Sequence, residues 1–97
     1  MNFEWDAGKN RSNIRKHGFD LADAAEMFQG ALLVRPDTRE EYGESRWIGI
    51  GMIRHRIAVV AFAERADETV RIISVRKANH NERKQYEKAL QDELETR

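Results

Sequence analysis

The stretch RWIGIGMIRHRIAVVAFAERADETVRIISVRK, residues 46–77, decides the fold. Polar breaks at Arg54-His55 and at Ala66 to Glu68 divide it into three runs: Arg46 to Ile53, Arg56 to Arg65 and Thr69 to Lys77. Each run is rich in Val, Ile, Trp or Phe, residues that suit a pleated and half-buried surface, so each is expected to be a strand. Ala31 to Arg35 reads as a further strand ahead of them, giving a four-stranded antiparallel meander. A two-residue turn at Arg54-His55 sets Trp47 beside Phe62. Closing the next hairpin over Ala66 to Glu68 with Thr69 sets Phe62 beside Ile73, with Val60 and Val75 sharing their face. That face has the bulk to take helices. The opposite face is expected to carry Ala61, Ala63, Ser74 and Arg76 among Ile48, Ile50 and Ile72, a surface able to bind an extended ligand. The same pattern fits a sheet buried on both faces.

Outward from the strands, the chain reads as helix. Asp6 can cap a helix through Lys16 that Gly18 ends, and Asp20 can cap a second, with Asp23 as a short capping-box partner and Gly30 as the stop. In the first, Ile14 is nearly the sole large apolar residue and shares a face with Asn10, Asn13 and His17. In the second, Leu21, Ala24, Ala25 and Phe28 form the expected buried stripe. After residue 77, Asn79 and Glu82 form a capping box for a helix from Asn81 to about Glu95, with Tyr86, Leu90 and Leu94 at four-residue spacing. The fold class is therefore α+β, with two N-terminal helices, a four-stranded antiparallel sheet and a C-terminal helix, in one domain over residues 1–97.

The chain has no cysteine, which excludes disulfide frameworks and thiolate metal sites. Its three histidines are dispersed, so metal-ligand spacing is absent and no cofactor is expected. No apolar run approaches the ~18 residues of a membrane span, and the opening residues lack a secretory pattern, so a cytoplasmic protein is expected. Seventeen basic residues balance seventeen acidic ones, but they are segregated. Lys9, Arg11, Arg15 and Lys16 stand together without a carboxylate, and Arg76, Lys77, Arg83, Lys84 and Lys88 outnumber Glu82 and Glu87. Between them lies an acidic segment, Asp20 to Glu44. Such segregation can give a neutral protein one positive face, although most charged faces are merely solvated.

Three stretches resemble the BrnT toxin family in order and spacing: Phe3-Glu4-Trp5-Asp6; Asn13 with Lys16-His17-Gly18; and Arg71 to Ala78, followed by Glu82-Arg83 and Tyr86. The likeness covers nearly the whole chain to about Tyr86. It departs at Gly8, where the family often has proline, and at Val75, where it usually has alanine. The resemblance implies a RelE-like fold, RNA cleavage that arrests translation, and neutralisation by a cognate, BrnA-like antitoxin whose ribbon-helix-helix part binds DNA. Contact with DNA would then be indirect, through the complex.

RNA carries its own nucleophile, a 2′-hydroxyl next to the phosphorus. A protein need only align it, supply a base and an acid, and place cations on the growing phosphorane charge. Arg76 and Lys77 end a strand just before a helix N-terminus, a favourable place for an anion, and Arg76 has the planar fork for bidentate phosphate contact. Alternation points Lys77 to the other face. Arg83 and Tyr86 are helix neighbours, and Tyr86 equally fits a core position heading the Leu90 stripe. His17 is the acid–base candidate, with Lys16 beside it; a histidine that merely meets helix-terminal carbonyls is the competing reading. Arg46 falls on the Arg76 face, ~13 Å along the sheet, able to meet the next phosphate. The expected catalytic residues are thus His17, Arg76, Arg83 and Tyr86, and the RNA-binding residues Lys16, Arg46 and Lys77. A non-catalytic RNA-binding or antitoxin-binding module remains the alternative.

Overall fold

The computed structural model describes residues 1–95, so the last two residues of the expected domain lie outside the described ones. Along the chain run β1 (Asn2–Glu4), α1 (Ala7–His17), a 3-10 helix (Leu21–Gln29), β2 (Leu33–Pro36), β3 (Arg46–Ile53), β4 (Arg56–Arg65), β5 (Thr69–Lys77) and α2 (His80–Glu95). The α+β class and the four expected strands are present, with two corrections. The sheet has five strands in the order β1-β5-β4-β3-β2, and it is mixed, because β1 joins β5 in parallel. At three residues β1 is too short to show an alternation in sequence. Helices also cover both faces. The 3-10 helix packs over Val60, Phe62, Ile72 and Val75, whereas α2 packs over Ile48, Ile50, Val59 and Ala61 on the other side.

Register follows the expectation in part. Trp47 pairs with Phe62 and Val60 with Val75, but Phe62 pairs with Ile72 rather than Ile73. The hairpin closes at Arg65 and Thr69, one residue tighter than expected, and a β-bulge between Ala61 and Phe62 restores the register beyond Ser74. A one-residue slip exchanges faces. Ile72 therefore enters the core under the 3-10 helix, Ile73 goes to the α2 side, and Arg71, opposite Ala63, joins the same face as Arg76.

The helices attach in different ways. Asp6 caps α1 by accepting from the Lys9 N–H at 2.8 Å, and Gly18 ends it at a φ of 74°. Ile14 is 43% exposed, so almost no apolar stripe holds this helix. Two asparagines hold it instead. The Asn10 amide accepts from the Leu21 N–H and donates to Asp20. The buried Asn13 amide donates to the carbonyls of Phe19 and Val75 and accepts from the Val75 N–H. Beyond the end of β1, Asn13 thus takes the place of the next strand residue on the open side of β5, satisfying groups that would be costly to leave unpaired.

The second helix differs from the expected α-helix. A 3-10 helix has three residues per turn, so its buried face is Leu21, Ala24 and Met27, while Ala25 and Phe28 are only partly buried. Asp23 makes no capping box; its carboxylate lies 3.9 Å from Arg54. In α2 the Asn79–Glu82 box forms as expected, each side chain accepting from the other's backbone N–H at 2.8 Å. Its stripe stops early: Tyr86 is buried, but Leu94 is 69% exposed.

Candidate functional site

Strand pairing fixes which side chains share the α2 face. Arg46 and Arg71 lie opposite Ala63 from either side, Arg76 lies opposite Val59, and Arg35 opposite Ile48. Two strand spacings separate Arg46 from Arg71, about 10 Å, and Arg76 stands ~13 Å further along the strand direction. α2 leaves the end of β5 and crosses this face until the Tyr86 hydroxyl donates to the Ala31 carbonyl at 2.9 Å, just before β2. The arginines therefore line the flank of the helix.

Arg76 is held by a bidentate pair. Its Nη1 and Nη2 donate to the two carboxylate oxygens of Glu82, both at 2.8 Å. Glu82 is 11% exposed in its side chain and also accepts the Asn79 N–H, so one carboxylate caps α2 and holds the guanidinium in plane. The Arg76 hydrogen bonds, with help from the Asn79 N–H and the Arg35 charge, hold Glu82 below the usual carboxylate range against the effect of burial. Arg76 is raised chiefly by Glu82, opposed by burial and by the charge of Arg39. Arg35 and Arg39 thus stand within electrostatic reach of the same pair.

The other cations differ in how they are held. Arg46 stacks 4.0 Å above the Tyr42 ring and lies 3.4 Å from Glu44. Arg39 chelates Asp37, whose side chain is 1% exposed and whose carboxyl is lowered to about 2 by the Arg39 hydrogen bond. Among the described residues Arg35 and Arg71 have neither hydrogen bond nor ion pair through their side chains, leaving their donors open to a ligand.

The residues expected from sequence fall into two groups. Arg76 and Arg83 lie at the junction of β5 and α2, where Arg83 Nη1 reaches the Ala78 carbonyl at 3.4 Å, whereas Tyr86 is carried across the face to the head of β2. Tyr86 is 3% exposed and burial raises its hydroxyl, so its side chain is packed as well as bonded. Lys77 lies opposite Ala58, which belongs to the other core, so alternation sends it away from Arg76 as expected. Lys16 and His17 are exposed on the last turn of α1, which Asn13 draws alongside β5. Arg76 Nη1 donates to the Lys77 carbonyl at 3.3 Å, but among the described residues no side chain of these three is hydrogen-bonded or ion-paired to the Arg76 group. Arg35, Arg39, Arg71 and the role of Glu82 escaped the sequence reading. Alternation with Leu33 could have found Arg35, but nothing before the bulge was known pointed to Arg71. Among the described residues no group of three His, Asp or Glu side chains is placed to hold a metal ion.

A family model describing the ribonuclease toxin BrnT of type II toxin–antitoxin systems matches residues 5–82. The crystal structure of the Brucella abortus ribonuclease toxin BrnT is similar, with a TM-score of 0.68 and 33% identity, over 82% of this chain and 99% of that one. No curated protein sequence matches the chain. Fold and family model together define a ribonuclease toxin of a type II toxin–antitoxin system. The chain belongs to the BrnT family, and that family implies an antitoxin partner.

Proposed function

We propose that residues 1–97 act as one metal-independent endoribonuclease domain that cuts RNA in the cytoplasm, arrests translation, and is neutralised by a ribbon-helix-helix antitoxin. The observation that carries this reading is the row of guanidinium groups along α2, with Arg76 fixed by Glu82 and Arg35 and Arg71 open. An RNA backbone lying along that row meets successive cations. The 2′-oxygen attacks phosphorus, the bond to the 5′-oxygen breaks, and the products are a 2′,3′-cyclic phosphate and a 5′-hydroxyl. One group removes the 2′ proton and another returns a proton to the leaving oxygen. Arg76 and Arg83 stabilise the phosphorane, and Arg46 holds the neighbouring phosphate. Tyr86, bonded to Ala31, is a positioning residue that fixes α2 against the head of β2. Lys16, His17 and Lys77 act if the RNA passes round the end of β5, where His17 is the acid–base candidate.

Expression of the chain alone, then of Arg76→Lys and His17→Ala, tests the reading through growth arrest and RNA integrity. The parent chain is expected to degrade RNA and stop growth, and each variant to relieve both. A second reading, a non-catalytic RNA binder, draws on the fact that Arg76 and Tyr86 already have partners within the fold. Bound but intact RNA after long incubation with the parent chain decides for that reading.

A further inference from the structure

The two edges of the sheet are finished differently. On the β5 side, β1 and then the Asn13 amide take up the outward backbone groups. At the other end β2 pairs with β3 alone, and among the described residues no strand lies beyond it, as none lies beyond the three-residue β1. The Asp37 N–H donates to the Arg46 carbonyl, so antiparallel alternation commits Leu33, Arg35 and Asp37 to β3. Val34 then points its N–H and carbonyl away from the sheet, and Pro36 offers a carbonyl alone. Shortness, Arg35 and Pro36 guard this edge against indiscriminate pairing. They do not explain its apolar pair, Leu33 at 37% and Val34 at 43% exposure. Each borders a groove. On the arginine face Leu33 meets Tyr86, Ala89 and Leu90 of α2; on the opposite face Val34 meets Phe28, Leu32 and Trp47.

We propose that β2 is the docking edge for the antitoxin, an extended segment of which adds as a further strand. Its backbone bonds to Val34, and its apolar side chains alternate into the two grooves. Arg35 shares the face of Leu33 and has no ion pair among the described residues, so the segment is expected to carry a carboxylate there, two residues from its apolar residue. A second copy of this chain fits less well, because its own edge, Leu33-Val34-Arg35-Pro36, has no carboxylate to offer. Arg35 acts on the Arg76–Glu82 pair, so a partner seated here also reaches the field proposed to hold RNA. The inference rests on the family reading that a protein antitoxin exists.

Leu33→Lys and Val34→Lys change partly exposed edge positions, so the melting temperature of each free variant is measured beside its RNA cleavage, and both are expected to stay close to the parent's. Their affinity for the cognate antitoxin should fall by about 30-fold or more, the loss typical of a hot spot. In the parent complex, amide hydrogen exchange at Val34 should slow, which reports the backbone bond directly and needs no variant. Unchanged antitoxin affinity in both variants, or a Val34 amide that exchanges equally fast in the complex, overturns the proposal. So does sedimentation showing that the parent chain dimerises alone and Val34→Lys does not, since the occupant is then a second copy. If the parent complex forms through Val34 but the free chain leaves RNA intact, the ribonuclease proposal fails and the docking edge stands.

Discussion

Arg76 and Glu82 are bound so closely that a change at either alters both fold and charge. Arg76→Ala leaves the Glu82 carboxylate, 11% exposed, without its main partner. It should destabilise the protein by about 1–2 kcal/mol after allowance for solvent at Arg76, besides removing activity. Arg76→Lys keeps the charge and loses the fork. A drop of about tenfold or more in RNA cleavage by the lysine variant, with little loss of stability in urea, assigns the effect to phosphate geometry rather than folding. Asp37 gives a pH test. Its carboxyl is lowered to about 2 by Arg39, from an ordinary ~3.9, so its stabilising contribution is complete above the ordinary value and is lost as pH falls toward the lowered one. Glu82 and Asp20 are lowered too and act in the same sense. Thermal melts should show stability falling below about pH 4, and Asp37→Asn should flatten the most acidic part of that curve. Trp47 supplies a test in which little should change. Among the described residues its buried indole N–H meets no hydrogen-bond partner, so Trp47→Phe should leave stability within about 1 kcal/mol of the parent, because the relieved donor offsets the lost area.

Between elements, the least usual attachment is that of α1, which polar side chains hold in place of an apolar stripe. Asn13→Ala removes three hydrogen bonds and strands the Val75 backbone, and chemical denaturation should register a loss of about 2–4 kcal/mol. Asn13 was visible in sequence as part of a motif and a helix face, but its partner, 62 residues away, was not. Much of the rest was legible because it is local: the caps at Asp6, Asp20 and Asn79, the turn at residues 54–55, and the pairing of β3 with β4. Three features were not. The parallel strand β1 has too few residues to carry a pattern. The 3-10 geometry replaced Ala25 and Phe28 with Met27 in the buried stripe, because a period of three and one of 3.6 diverge within two turns. The bulge at Ile73 is set by how the hairpin closes, and it moved Arg71 onto the face with Arg76. For the site, alternation and helix spacing placed Arg46 and Arg76 on the α2 face and Arg83 beside Tyr86 on α2, but not how far apart they stand. The relation of His17 to them depends on packing that no local pattern records.

Over the molecule as a whole, formal charge sums to zero, yet the α2 face gathers Arg35, Arg46, Arg71 and Arg76 on one surface. If three or more of them meet phosphates, RNA affinity should fall by about 100-fold per decade of salt, since each contact contributes a slope of about 0.7 for single strands. Fluorescence anisotropy over a salt series checks this, and a flat response assigns the face to a protein partner. The most direct test is the chemistry of the cut ends. Purified chain incubated with RNA in excess chelator is expected to leave 2′,3′-cyclic phosphates and 5′-hydroxyls, because the ribose supplies the nucleophile and guanidinium groups supply the charge. Cleavage that stops with the chelator, or that leaves 5′-phosphates and 3′-hydroxyls, contradicts the account.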